Sequence, residues 1–447
     1  EQNMKKKIIT LWMAVGVIPI GSMAQESWTL RQCIDYAISH NISVKQSENA
    51  AEQSNVDVNT AKWARLPNLN AGAEQSFNWG RTSRPVQDTV TKVYSSVYEN
   101  VSSRGTNFSL STNVPLFTGF SIPNQYTLAK LNLKAATADL EKAKEDLAVN
   151  VASAYVQVLY NQELSKVAEE QVLLSKEQLS RIEKMNEVGK ASPAEVAEAR
   201  SRVAQDQMSA VQAKNNYQLS LLELTQLLEL STMEGFSIAA PDVQPTFEVL
   251  TPPDEIFLTA ASNKPSVMAA QYRLEGSKNN IKIAQSGYYP KLSLNGSLGT
   301  NYYSTITSSF SKQMEDNFSK YIGLSLNIPL FDRFETRNRV RAAKLQQQNY
   351  SLQLDNVKKV LYKEIQQAWY NALAAESKYQ SSDVAVSANE EAFKLMTQKF
   401  ENGKATAIEF NESKLNLMKS VSDRIQAKYE YMFRTKILDF YKGKPIE

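Results

Sequence analysis

The stretch FENGKATAIEFNESKL, Phe400–Leu415, has a counterpart far upstream in MNEVGKASPAEVAEAR, Met185–Arg200. Each carries Gly-Lys-Ala followed by Thr or Ser, then a glutamate six residues after the glycine and another three further on. A turn written twice, each time leading into a helix with two carboxylates on one face, points to an internal duplication. Two spacings confirm it. From Pro115 to Gly189 and from Pro329 to Gly403 is 74 residues each time; from Val44 to Pro67 and from Val267 to Pro290 it is 23. Between these anchors Leu140, Leu147, Val151 and Ala154 fall on Leu354, Leu361, Ile365 and Ala368.

The repeats occupy 25–230 and 254–440, joined by a connector, 231–253, that carries Pro241, Pro245, Pro252 and Pro253; 441–447 forms a C-terminal tail. Each repeat reads helix, strand, strand, very long helix, turn, helix. The segments 121–187 and 335–401 have no glycine, no proline after Pro123, and a composition rich in Ala, Leu, Lys, Glu and Gln, which favours helix. At 1.5 Å per residue each would run about 100 Å, far beyond what a compact domain needs. The shorter helices, about 43–65 and 193–230, together come to roughly 90 Å and could stack end to end beside the long one.

The strands alternate. Leu292, Leu294, Gly296, Leu298, Thr300 and Tyr302 interleave with small polar residues, as do Leu69, Ala71, Ala73, Phe77 and Trp79 in the first repeat. The pattern predicts strands at about 68–79, 106–116, 291–302 and 320–330. Segments of about ten residues, apolar on one face and small-polar on the other, suit a membrane β-barrel around water. A soluble sheet packed on one side would alternate in the same way. The aromatic ends (Trp79, Tyr302, Tyr303, Tyr321) and the small polar face favour the barrel, and 80–105 and 303–319 read as long external loops.

Export supports this. Met4 is followed by Lys5–Lys7, an apolar run from Ile8 to Ile20, and small residues up to Ala24; residues 1–24 read as a secretory signal peptide. Gln25, not a cysteine, stands directly after the cleavage point, so a lipid-anchored N-terminus is not expected. Taking away the three lysines and one glutamate of 1–24 leaves 47 basic and 46 acidic groups, a balance that gives no reason to expect nucleic acid. One cysteine, Cys33, precludes an internal disulfide, and one histidine, His40, removes most metal and triad chemistry. Both read as packing or helix-end residues. No catalytic set, metal site or cofactor is expected. Four strands cannot close a barrel, so a spanning chain must oligomerise. A dimer gives eight strands and a filled lumen, a trimer twelve and a pore, and the small polar face favours the trimer.

The ordered set of repeat starts (Ala37–Val44, Ala261–Val267), strand entries (Leu-Pro-Asn-Leu, Tyr-Pro-Lys-Leu), Val-Pro-Leu-Phe-Thr-Gly-Phe, Ile-Pro-Leu-Phe-Asp-Arg-Phe and the two Gly-Lys-Ala turns resembles the TolC-like outer-membrane efflux protein family over about 26–440. The resemblance implies an α+β fold: a homotrimer with a 12-stranded transmembrane barrel, four strands per protomer, set in outer-membrane lipid and continuing into a long α-helical periplasmic barrel. It implies the exit channel of a tripartite efflux or type I secretion system. A periplasmic adaptor (membrane fusion) protein would dock on the tips Gly189, Lys190, Ala191, Ser192 and Gly403, Lys404, Ala405, Thr406, with an inner-membrane transporter of RND or ABC type behind it. It places Glu409 and Glu412 in a luminal cation-selective ring, with Glu195 and Glu198 in the matching places of the first repeat. Read without the resemblance, these are turn residues and helix-start acids. The chain departs from the family at the tip, where Phe400 lacks a hydroxyl and Ala405 replaces a basic residue, so gate packing by Phe400 takes the place of an identical latch. Two other readings are an enzyme, which no motif supports, and a periplasmic coiled-coil scaffold without a pore, which leaves the strands unexplained.

Overall fold

The computed structural model describes residues 27–87, 89–240, 247 and 249–446. The signal peptide and Pro241 and Pro245 of the connector lie outside the described residues. The first repeat contains α1 (Leu30–His40), α2 (Ile42–Trp63), β1 (Asn70–Gln87), β2 (Tyr94–Phe117), α3 (Ser121–Glu187) and α4 (Pro193–Leu227). The second contains α5 (Pro253–Asn263), α6 (Pro265–Gln285), β3 (Lys291–Tyr303), α7 (Phe310–Asp316), β4 (Ser319–Asn327), α8 (Glu335–Glu401) and α9 (Ala407–Tyr441).

The long helices α3 and α8 take the bounds that composition predicts, 67 residues each. Each starts after a phenylalanine in the left-handed region, Phe120 (φ 66°) and Phe334 (φ 63°). The apolar stripe packs as the spacing requires. Leu147, Val151, Ala154 and Val158 are buried in one core with Val44, Cys33, Leu224 and Leu228. Leu361, Ile365 and Ala368 are buried in a second with Ile256, Val267 and Leu438. Ile446, beyond α9, is buried in the first core, so the tail closes back on repeat one. Cys33 is fully buried, which pushes its thiol up to about 12. The Tyr155 hydroxyl donates to the carbonyls of Ala239 (2.5 Å) and Trp28 (3.0 Å), fastening the connector and the chain start to α3.

The four strands form one antiparallel sheet in the order β1-β2-β3-β4. Registers such as Ala71↔Leu110, Leu110↔Leu298 and Leu294↔Leu324 put the apolar residues of all four strands on one face. That face is exposed: Trp79, Ile322, Leu324 and Leu326 lie open to the surroundings. Asn113 Nδ2 donates to Asn295 Oδ1 at 2.6 Å on the opposite, polar face. All helix connections leave from one end of the sheet, and the hairpins 87–94 and 303–319 from the other.

Four expectations need correction. Residues 80–105 are not a loop: Gly80–Gln87 continue β1 in register with Tyr94–Val101 of β2, so the hairpin rises past the end of β3. Beyond the apolar belt both faces meet water, the apolar alternation stops, and periodicity can no longer report the strand. The segment 303–319 holds α7, fixed by buried Gln313, whose amide donates to the carbonyls of Ser308 (2.8 Å), Tyr303 (3.2 Å) and Ile306 (3.3 Å). The last strand stops at Asn327, short of Pro329, which has no N–H to offer a ladder. The helix expected at 43–65 is α2 preceded by a separate α1, with Asn41 between them capping the Ser43 N–H at 2.9 Å.

Gly119 joins sheet to helix. Its φ is +61°, and a Cβ there would stand 2.7 Å from the Ser286 carbonyl oxygen and 2.8 Å from Tyr289 Cβ. Gly80, in an open part of β1, would meet nothing within 4 Å. Gly119→Ala should therefore cost about 1–2 kcal/mol for the left-handed backbone and about 1–3 kcal/mol more for the overlap. Gly80→Ala should be near neutral, and thermal melting of the detergent-solubilised variants separates the two.

Candidate functional site: the paired turns at the helix tips

Both long helices end in the same way. Gly189 (φ +71°) and Gly403 (φ +68°) take the left-handed position after the helix, the conformation glycine adopts without penalty. Lys190 N donates to Met185 O and Lys404 N to Lys399 O, both at 2.8 Å, while Gly189 N reaches Asn186 O (2.9 Å) and Gly403 N reaches Phe400 O (3.1 Å). These are two Schellman turns, satisfying carbonyls that the helix end leaves open. Asn186 Nδ2 adds a bond to Ala191 O at 2.7 Å in the first.

Each returning helix then begins with a capping box. Ser192 Oγ accepts from Glu195 N (3.2 Å), and Glu195 Oε2 accepts from Ser192 N (2.6 Å). Thr406 Oγ1 accepts from Glu409 N (3.3 Å), and Glu409 Oε2 accepts from Thr406 N (2.8 Å) and Thr406 Oγ1 (2.9 Å). The Ser192 and Thr406 N–H groups, with their hydroxyls, hold Glu195 and Glu409 below the ordinary carboxyl value of 4.5. The first glutamate of each motif thus has a structural task that its spacing from Ser or Thr already encodes. Glu198 and Glu412, the second of each pair, are exposed and carry no such bond.

A cavity of about 1260 Å³ opens between the two hairpins. Glu195, Glu198 and Glu412 border it together with Lys190, Ala191, Gly403, Ala405 and Phe400; Glu409 does not. The structure therefore gathers four of the eight predicted tip residues, three of the four glutamates and Phe400 around one groove, and leaves Gly189, Ser192, Lys404, Thr406 and Glu409 outside its lining. Phe400 stacks on Phe410 (4.8 Å between centroids), which also meets Phe393 (5.4 Å). The aromatic position is filled by packing.

Residues not singled out in the sequence lie behind this groove. Lys414 of α9 is buried; its Nζ donates to Ser175 Oγ of α3 at 3.1 Å and lies 4.0 Å from Asp206 Oδ2 of α4. Gln171 Nε2 donates to Asp206 Oδ2 at 3.1 Å, Ser175 Oγ also contacts that carboxylate, and Arg202 Nε is 3.7 Å from Oδ1. Burial holds the Lys414 ammonium below the usual lysine range, with Asp206 opposing and Arg202 adding to the shift. Nearer the turns, Arg181 of α3 donates to Glu401 of α8 at 2.9 Å. The signal was present as an interruption: Lys414 sits four residues after buried Phe410 and Asp206 three after buried Val203, polar residues on core faces.

A family profile described as "Outer membrane efflux protein" matches residues 33–229 and 258–436, the two repeats. The chain belongs to that family. Among curated relatives it is 19% identical to the outer membrane efflux protein BepC of Brucella suis, over 95% of this chain and 87% of that protein. It is 22% identical to the outer membrane protein TolC of Vibrio cholerae, over 96% and 93%. Among solved structures it superposes on VceC of Vibrio cholerae with a TM-score of 0.75 at 17% identity, covering 94% of this chain and 97% of that one. It superposes on the CmeC channel of Campylobacter jejuni at 0.76 and 18%, covering 94% and 86%. The fold is the α+β fold of TolC-like channels, and the protein is an outer-membrane efflux channel with a periplasmic helical extension.

Lys414→Met alone removes one of the two cations facing the buried Asp206 carboxylate, leaving Arg202 and Gln171, and should lower stability by about 1–3 kcal/mol. The double variant Asp206→Leu/Lys414→Met should recover most of that loss in denaturation experiments. A second expectation concerns pH. The carboxyls of Glu195 and Glu409 are depressed in the folded state, so their caps contribute fully above about pH 4.5 and weaken as pH falls through the lower folded values. Exchange of the Ser192 and Thr406 amides, corrected for intrinsic rate, should accelerate in that range, while exchange of the Lys190 and Lys404 amides should not.

Proposed function

We propose that three copies of this chain close a 12-stranded barrel and form the exit duct of a tripartite efflux or type I secretion assembly. The observation that carries the reading is the open four-stranded sheet whose apolar face has no buried residue and is exposed at Phe77, Trp79, Ile322, Leu324 and Leu326. Its outer strands, β1 and β4, each leave one edge without a partner in the single chain. In lipid every unpaired backbone group costs several kcal/mol, and pairing β1 of one copy with β4 of the next removes both edges at once. The small polar face then lines water.

The tips are the docking surface for a periplasmic adaptor. Gly189–Ser192 and Gly403–Thr406 present two like turns, and Val188 and Ile408 beside them are exposed apolar residues suited to a partner's helical hairpin. Behind the adaptor stands an inner-membrane transporter of the RND or ABC type. Named relatives span toluene, antibiotic and pyoverdine export, so the duct tolerates varied cargo and selection belongs to the pump. Phe400, Phe393 and Phe410 pack α8 on α9 within one hairpin, and Arg181–Glu401 with the Lys414 cluster holds that hairpin to α3 and α4 at the resting tip. Glu409, which faces away from the groove, and Glu412 at its border form the cation-selective ring when three copies meet, with Glu195 and Glu198 as a weaker outer set.

In planar bilayers with a salt gradient the protein should show a small, cation-preferring conductance. Glu409→Gln/Glu412→Gln should shift the reversal potential toward zero while leaving insertion intact; an unchanged potential would remove both residues from the ring. Solubility without detergent and no conductance would overturn the duct itself.

A further inference from the structure

The two strands that meet between copies are unequal in length. β1 has 18 residues and β4 has 9, so a neighbour's β4 covers at most half of the free β1 edge. On the other side β3 ends at Tyr303, opposite Gly105 of β2. Ser304 adds one last rung: its N–H donates to Arg104 O and its Oγ accepts from Arg104 N, both at 2.8 Å. Above that rung Gly80–Gln87 and Tyr94–Val101 form a ribbon of two strands, with both edges open among the described residues. The segment after β3 does not fill the gap beside it. α7 folds down over the outer face instead, where Thr300 Oγ1 donates to Met314 O at 2.7 Å and the Tyr302 and Phe310 rings meet at 5.2 Å.

A ribbon of two strands is marginal in water on its own, and this one carries apolar side chains in the open. Val86 and Val97 are 41% and 42% exposed. The registers Val86↔Ser95 and Arg84↔Val97 continue the side of Asn70↔Ser111. Both valines, with Val101, therefore stand on the polar face's side of the sheet, toward the water that a closed barrel encloses. The other side of the ribbon carries Ser83, Tyr94, Tyr98 and Asn100, which suit the exterior. Glu99 shares the valines' side, and Arg84 occupies the next row there, so that side holds one acid and one base in each copy.

We infer that the three ribbons of the assembled channel lean together over its mouth, valine side to valine side, and form a second gate at the outer end. The inference rests on the barrel reading above. The partners are the other two copies of this chain, for two reasons. Each ribbon rises directly from the β1–β4 seam between copies, and the side that carries Val86, Val97 and Val101 is the side turned toward the other ribbons across the bore. Barrel diameter grows roughly linearly with strand number, and about eight strands are already filled by side chains. Six strands drawn together therefore leave no open bore. Eight residues of ribbon rise about 26 Å, a lever long enough for a small tilt at its base to reach the axis. Closed ribbons keep bulky solutes out, and cargo arriving through the duct parts them.

The test uses the full-length protein in the outer membrane of intact cells, with reagents added from outside. Cys33 is buried, so an introduced cysteine reacts alone. With Val97→Cys a short bismaleimide should link chains into dimers and trimers, whereas Tyr98→Cys, one residue along and on the outer side, should stay monomeric on denaturing gels. Ser297→Cys, on the polar face opposite Ser111, reports entry below the ribbons. A bulky polymer-linked maleimide should label it slowly. Adding Val86→Asp/Val97→Asp, which sets like charges against one another, should speed that labelling on the order of ten-fold, as for a gate shut about nine-tenths of the time. A small maleimide should label Ser297→Cys equally with and without the aspartates, which shows that the lumen is intact in both. Absence of links at Val97→Cys, or equal entry of the bulky reagent in the two forms while the small one still labels both, would overturn the gate alone. Failure of the small reagent to reach Ser297→Cys in either form would refute the barrel, and the gate with it.

Discussion

A backbone amide in hydrocarbon has nowhere to turn except another strand, and the architecture of this chain follows from that restriction. The sheet has four strands, two free edges and an apolar face on which only the short α7 rests, at Thr300 and Tyr302. A soluble protein would cover that face or blunt the edges. Here every helix but the short α7 leaves from one end and runs away from the sheet, so most of the face stays open to lipid and the edges stay open to further copies. The long helices add a second consequence: packing along more than 60 residues fixes the direction in which each protomer's strands emerge.

The duplication is faithful in length and unequal in chemistry. Gly119 turns the first repeat from strand to helix; at the matching place the second repeat uses Arg333, which holds φ at 55° despite its side chain. Asn41 separates the two opening helices of repeat one. In repeat two Lys264 takes that place, buried, with Nζ 3.2 Å from Glu145 and 3.3 Å from the centre of the Phe440 ring. Burial holds its ammonium below the usual lysine range against the pull of Glu145. The second repeat thus fills with charge and aromatic surface what the first fills with a neutral cap. At the tips the reverse holds: both turns keep the same backbone bonds, and both capping boxes keep the same partners.

Most of the fold was legible because it depends on period and length. Two helices of equal span, a stripe at Leu147, Val151, Ala154 and Val158, and four alternating segments survive any reading that counts spacing. What escaped did so where period carries no information. The upper hairpin, Gly80–Gln87 with Tyr94–Val101, has water on both faces and so no alternation. The cluster at Lys414 and Asp206 is assembled from three helices distant in sequence, and only its intrusion on apolar faces hints at it. At the candidate site the turns and the Ser/Thr-x-x-Glu caps could be read from short motifs. That Glu409 is turned away from the groove while Glu412 borders it could not, because three residues of helix place them about 60° apart about the axis.

The equal span of α3 and α8 makes length itself a functional dimension. One residue added to either helix would raise everything beyond it by 1.5 Å and turn it by about 100°, carrying Lys404 away from the height of Lys190 and Lys414 away from Asp206. Such a change has no local cost, since a helix accepts an extra residue readily, yet the two tips would no longer present one level surface. Drift by insertion and deletion is therefore closed to these segments unless both repeats change together, and by whole turns. The chain behaves as a matched pair of rulers, in which the two repeats share their graduations even where the letters on them differ.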